Sequence, residues 1–190
     1  MDIQYLGDHQ EVIPVLAAWI YDEWSYLYPE MKLQDVVSLF KERVNKERLP
    51  LTLVAFEAGE PVGTVSLRTF DMETRSDLQH WLTSLYVIKA WRRRRIGSNL
   101  MKTVEKKAVE LGICKLFLFT TDVILPALFY SKLGWIVKEK TVYHSSPVMI
   151  MEKDLCHKER SGAVLSENQG SPNLDKRNAV NKKNRLSYYK

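Results

Sequence analysis

The sequence predicts an α/β domain over residues 1–155, a central mixed β-sheet flanked by helices on both faces. Three observations predict it. Strand-type and helix-type segments alternate along the chain. One strand-type segment, Cys114–Thr120, is mostly apolar, as a strand covered on both faces should be. Apolar residues make up 45% of the 190 residues and charged residues 27%, an ordinary globular balance that can bury a sizeable core.

Each element has its own signal. Ile3–Leu6 reads as a short first strand. Val12, Val15, Leu16, Trp19 and Ile20 recur at helical spacing within residues 9–24, with Pro14 in the first turn. Tyr26, Tyr28 and Pro29 read as a loop. Leu33, Val36, Val37, Phe40 and Val44 form one face of a second helix over 33–47. Leu51–Phe56 and Val62–Leu67 are strands joined by the turn Ala58–Pro61, a predicted hairpin. Trp81–Ile88 is the next strand. Ile96, Leu100, Val104, Ala108 and Leu111 stripe a long helix that Gly112 ends. After Cys114–Thr120 come a short helix, Pro126–Leu133, and two closing strands, Trp135–Val142 and Val148–Met151, around a turn at 145–147.

Composition changes after Leu155. Residues 156–190 hold eight Lys/Arg against three acids, which accounts for the whole net charge of +5; the other 155 residues balance at twenty basic and twenty acidic groups. This segment is predicted to be a basic, disordered tail, because its isolated apolar residues cannot offset the entropy of ordering it. A high pI therefore gives no reason for the body to bind nucleic acid, and any such contact is expected only through the tail. No apolar run approaches the ~20 residues that span a bilayer, so no membrane partner is expected. The first residues carry neither a basic n-region nor a long apolar run, and no secretory signal is predicted. The two cysteines, Cys114 and Cys156, cannot make a disulfide framework, and no metal site is expected. Both thiols are expected to be reduced in the cytosol, with Cys114 a small buried hydrophobe.

The most informative stretch runs from the strand at Leu85 through Lys89–Arg95 into Ile96, Gly97 and Ser98 at a helix start. Free N–H groups and a helix N-terminus favour an anion there. Gly97 permits close backbone approach, and four arginines supply phosphate-type donors. A pyrophosphate cradle, a solvated basic turn and a nucleic-acid backbone contact are all compatible with this stretch alone.

Leu85, Val87, Arg92, Ile96, Gly97, Ser98 and Leu100, in that spacing, resemble the acetyl-CoA signature of the GNAT N-acetyltransferase superfamily. Leu128–Trp135, with Phe129, Tyr130 and Gly134, is similar to that family's Phe-Tyr-x-x-x-Gly-Phe segment. The order of elements fits a GNAT-like fold over nearly all of 1–155. The resemblance implies an acetyl-CoA-dependent transferase acting on a primary amine of a small molecule or peptide by direct attack. It implies that Leu85, Tyr86 and Val87 hold the acetyl and pantetheine end, with the Val87 N–H polarising the thioester carbonyl. The backbone of Arg93, Arg94, Arg95, Ile96, Gly97 and Ser98 would cradle the pyrophosphate, with an arginine side chain, Arg92 among them, on the 3′-phosphate. Tyr130 would protonate the departing thiolate. A homodimer is a fold-level analogy only.

Two positions depart from the pattern. Arg95 stands where the signature has its first loop glycine, and a positive φ there would cost ~1 kcal/mol. Val123, beside Asp122, stands where many members carry asparagine.

The base is open. His80, just before the cofactor strand, is the first candidate, with Glu23, Asp71, Glu73 and Asp77 as others. Glu23, Tyr26 and Ser84 are expected at the acceptor site, where acids and aromatics suit a cationic amine. Two other readings compete: a non-catalytic acyl-CoA-binding regulatory or partner module, and a nucleic-acid or ribosome-associated protein acting through its tail.

Overall fold

The computed structural model describes residues 1–121 and 124–156. The basic segment from 157 on, together with Asp122 and Val123, lies outside the described residues.

Seven strands form one sheet: β1 (Asp2–Tyr5), β2 (Leu51–Glu57), β3 (Glu60–Arg68), β4 (Trp81–Val87), β5 (Lys115–Thr121), β6 (Ile136–Tyr143) and β7 (Ser146–Asp154). Their order is β1-β2-β3-β4-β5-β7-β6, and β4–β5 is the parallel pair among antiparallel neighbours. Four helices accompany them: α1 (Ile13–Trp24), α2 (Leu33–Glu42), α3 (Ile96–Glu110) and α4 (Ile124–Lys132). The α/β mixed sheet read from the sequence is the fold observed.

β2 shows why two helical layers are needed. Leu51, Leu53 and Ala55 pack with Ile96, Leu100 and Val104 of α3. Val54 and Phe56 point to the other face and pack with Leu16 of α1 and Phe40 of α2. Period two thus sends alternate side chains into two cores. Pro14 sits in the first turn of α1, where its missing N–H costs nothing. The β2–β3 and β6–β7 turns place Ala58–Gly59 and His144–Ser145 at positive φ, as two-residue hairpin turns require.

α2 stops at Glu42, earlier than its apolar stripe suggested, and Arg43 follows it. α4 ends in a left-handed Gly134 (φ 85°), with the Trp135 N–H donating to Tyr130 O and the Gly134 N–H to Ser131 O. That cap locks the backbone of Tyr130.

The expectation of two reduced thiols is overturned. Cys114 and Cys156 form a disulfide across 42 residues of chain, with Cα atoms 5.1 Å apart. The sheet register is the reason: Lys115 pairs with Asp154, so the residue before β5 and the residue shortly after β7 arrive side by side. Cys114 is exposed, not a buried hydrophobe. The cysteine argument for a reducing compartment falls with it.

Candidate active site

β4 and β5 begin together and then part. Their pairing is confined to Trp81 and Phe117, where the Phe117 N–H donates to His80 O at 2.9 Å. Beyond it β5 pairs with β7 along its full length, and β4 is left with an open edge. A bulge deepens the parting. Ser66 and Thr64 of β3 face Thr83 and Tyr86, so Ser84 and Leu85 together oppose Val65. Ser84 takes a left-handed conformation, φ 53°.

The backbone of Val87 faces the opening. The Ile88 N–H donates to Val62 O at 3.1 Å, so residue 88 is a hydrogen-bonded position against β3. Antiparallel alternation turns the N–H and C=O of its neighbour Val87 the other way, onto the edge β5 has left. The Val87 carbonyl accepts from Arg92 Nε at 2.9 Å; its N–H points into the gap.

The Arg92–Ser98 turn closes one end of this gap. Arg93 and Arg95 both take left-handed backbone, φ 64° and 62°. The glycine position of the signature therefore does need positive φ, and Arg95 carries the strain. Ile96 is buried in the core under α3 and fixes the start of the helix. The four arginine side chains are exposed. Arg92 turns back over Tyr86 (5.5 Å), and Arg94 lies over Trp91 (4.5 Å). At Gly97 an added Cβ would meet Phe129 at 3.5 Å and Val87 at 3.8 Å, both ordinary contacts. The early N–H groups of a fifteen-residue helix thus stand at the surface beside the open edge of β4.

At the other end of the gap lies a cleft of about 370 Å³. Ser84, Leu85, Thr120 and Tyr130 line it, together with Trp24, Tyr28, Arg43, Arg68, Asp71, Glu73 and Tyr143 among others. The Tyr130 ring packs edge-on against Phe129 (5.2 Å) and Trp135 (6.3 Å). Its hydroxyl has no hydrogen-bond partner among the described residues, and burial pushes its pKa above the ordinary tyrosine value.

The sequence-predicted residues separate here. Leu85, Ser84 and Tyr130 meet in the cleft, and Val87 faces the gap. The Tyr86 ring instead packs against Trp19 (5.6 Å) and Trp24 (6.2 Å). His80 is not brought in. It stands at the start of β4, the end where β4 and β5 are still paired, and it is not among the cleft-lining residues. Its N–H donates to Thr69 O at 2.8 Å. Glu23 is exposed, 4.0 Å from Arg92, and Tyr26 is 59% exposed; neither lines the cleft. Strand curvature and the bulge, not sequence proximity, decide which residues face inward.

Of the acids weighed as base, Asp71 and Glu73 reach the cleft, whereas Asp77 is held outside it by Arg75 at 2.8 Å. Arg68 Nη1 donates to Asp71 Oδ1 at 2.8 Å, yet burial dominates and raises the Asp71 pKa. Glu73 accepts from the Tyr143 hydroxyl and meets His144 Nε2 at 3.1 Å. The Tyr143 hydrogen bond lowers the Glu73 pKa, and Tyr28 nearby is pushed up to about 12, chiefly by burial.

Sequence reasoning missed Arg43 and Arg68. Arg43 is 5% exposed, lies 5.2 Å from the Phe40 ring, and donates from Nη1 to Ser84 Oγ at 3.0 Å. Burial, with Arg68 nearby, pushes its pKa down to about 10. A signal existed: Arg43 follows Val36 by seven residues and Phe40 by three, so the sequence places it in line with the apolar stripe of α2.

A family model described as the acetyltransferase (GNAT) family matches residues 14–135. Solved structures share the fold at low identity. An aminoglycoside 6'-N-acetyltransferase complexed with coenzyme A is 19% identical, with TM-score 0.64, over 82% of this chain and 97% of its own. The aminoglycoside 6'-N-acetyltransferase from Enterococcus faecium is also 19% identical, with TM-score 0.61, over 82% and 97%. A ribosomal-protein-alanine N-acetyltransferase from Brucella melitensis is 18% identical, with TM-score 0.65, over 81% and 99%. No curated protein matches the chain in sequence.

Proposed function

The chain belongs to the GNAT acetyltransferase family, and on that premise we propose that it transfers an acetyl group from acetyl-CoA to a primary amine of a small molecule or peptide by direct attack. The observation that carries this reading is the parting of β4 from β5 beside the Ser84 bulge, with a helix N-terminus at one end and a charged cleft at the other.

The residues present fit acetyl-CoA. The N–H groups of Arg93–Ser98 can donate to a pyrophosphate at the start of α3. Exposed Arg93, Arg94 and Arg95 offer cations to a further phosphate. The open edge at Leu85 and Val87 suits the amides of a pantetheine arm. When bound, acetyl-CoA supplies an activated acetyl thioester.

The chain's own groups then have distinct tasks. The Val87 N–H donates to the carbonyl oxygen as charge develops on it. Tyr130, protonated and without another partner, gives its proton to the leaving sulfur. The ammonium of the acceptor loses its proton through water to Asp71 or Glu73, the two carboxylates of the cleft. One C–N bond forms and one C–S bond breaks; the first ammonium proton leaves to that carboxylate, and the second, lost from nitrogen after attack, replaces the proton that Tyr130 gave to sulfur.

The test is calorimetric titration of acetyl-CoA and of ADP into the full chain, followed by a screen of amines for acetyl-CoA consumption. Micromolar binding that needs the pantetheine arm, weakened at least tenfold by Gly97→Glu, supports the reading. Unchanged affinity in that variant would put the cradle elsewhere. Tight binding without turnover on any amine would make the chain an acyl-CoA-binding module.

A further inference from the structure

Arg43 is a buried cation that the protein itself leaves largely unpaired. Its one hydrogen bond among the described residues runs from Nη1 to Ser84 Oγ, a neutral acceptor. No carboxylate lies within ion-pair distance of it among those residues. Nε and Nη2 have no acceptor either. No described side-chain nitrogen or oxygen is both sealed from solvent and unpaired, so these two atoms keep some solvent access on a residue that lines the cleft. A guanidinium this buried is poorly solvated, and an anion is the partner that would relieve it.

The charges around it set the kind of anion. Arg68 and Asp71 are the near groups; Glu42 and Tyr28 act more weakly. Asp71 is engaged by Arg68, so the Arg43–Arg68–Asp71 cluster is net +1. Such a site suits a monoanion. The planar guanidinium fork matches a carboxylate. Glu73 lines the same cleft but is engaged by the Tyr143 hydroxyl and His144. A polycationic amine would bring no group to pair with Arg43.

We infer that the amine acceptor also carries a carboxylate, which Arg43 binds beside the Ser84 bulge, so that the substrate class is a compact amino acid. This rests on the N-acetyltransferase reading. Arg43, Ser84, Leu85 and Tyr130 line one cleft, so a compact amino acid held by its carboxylate on Arg43 would keep its amine in the same cavity as Leu85 and Tyr130.

The experiment measures kcat/KM for each of the twenty standard amino acids, the matched methyl esters, and spermidine, with the full chain. At least one free acid should exceed its ester by tenfold or more, and spermidine should be poor. An ester has the less basic amine, which favours it in the rate, so a preference for the acid cannot come from the amine. Arg43→Gln should erase the preference, and Arg43→Lys should keep part of it. Acids no better than esters, or spermidine preferred, would overturn the inference while leaving the transferase reading intact. Calorimetry of the same pairs without acetyl-CoA decides the point even with no turnover: tighter binding of an acid than of its ester supports the anion site, and equal binding removes it.

Discussion

Arg43 Nη1 donates to Ser84 Oγ at 3.0 Å, tying the residue after α2 to the left-handed residue inside β4. A hydrogen bond to a charged group contributes about 1.5–3 kcal/mol. Ser84→Ala should lower stability by about that much in urea unfolding. Ser84→Gly should cost less, because glycine relieves a left-handed strain of ~1 kcal/mol. Identical midpoints for the wild type and Ser84→Ala would remove this bond as a stabilising contact.

Arg95 holds φ at 62° where glycine would sit without strain. Arg95→Gly should therefore raise stability by up to ~1 kcal/mol, while Arg95→Ala should not. If the backbone supplies the cradle, acetyl-CoA affinity in Arg95→Gly stays within about threefold at constant salt. A loss beyond tenfold would assign the contact to the arginine side chain.

Tyr130→Phe keeps the ring that packs on Phe129 and Trp135 and removes the proton donor. Turnover should fall by about 100-fold, with acetyl-CoA affinity unchanged. Burial raises the pKa of this phenol, so its acid form persists to higher pH than an ordinary tyrosine with pKa ~10. Any fall in rate caused by its deprotonation should lie above pH ~10. A limb in the rate profile near pH 8 or 9 that vanished in Tyr130→Phe would contradict this assignment.

The Cys114–Cys156 bond closes 42 residues of chain. Breaking it should cost about 2–4 kcal/mol. Cys114→Ser and reduction by dithiothreitol should lower the unfolding midpoint equally. The unfolded chain without reductant should show no reactive thiol; two would mean that the bond does not form.

Much of the fold was legible because local signals agreed with one another. The stripe Ile96, Leu100, Val104 and Ala108 is the buried face of α3. Gly134 ends α4 as its place in the sequence suggested. The Arg92–Ser98 turn between β4 and α3 was legible for the same reason: a strand, a tight turn and a helix N-terminus are all contiguous in sequence. The cleft was not. Arg43, the Arg68–Asp71 pair and Tyr143 come from three separate stretches of chain, and no spacing rule joins the three.

The sequence by itself determined the elements, their order, the family and the turn that opens α3, since these depend on residues within a few positions of one another. Tertiary structure decided three other things. The bulge at Ser84 and the parting of β4 from β5 decided that Leu85 and Tyr130 face one cleft and that His80 stands at the opposite end of its strand. The β5–β7 register decided that Cys114 meets Cys156. The packing of α2 on the sheet decided that Arg43 is buried as a cation beside a neutral hydroxyl. Register and burial are properties of distant segments brought together, and a side chain acquires its charge environment only there.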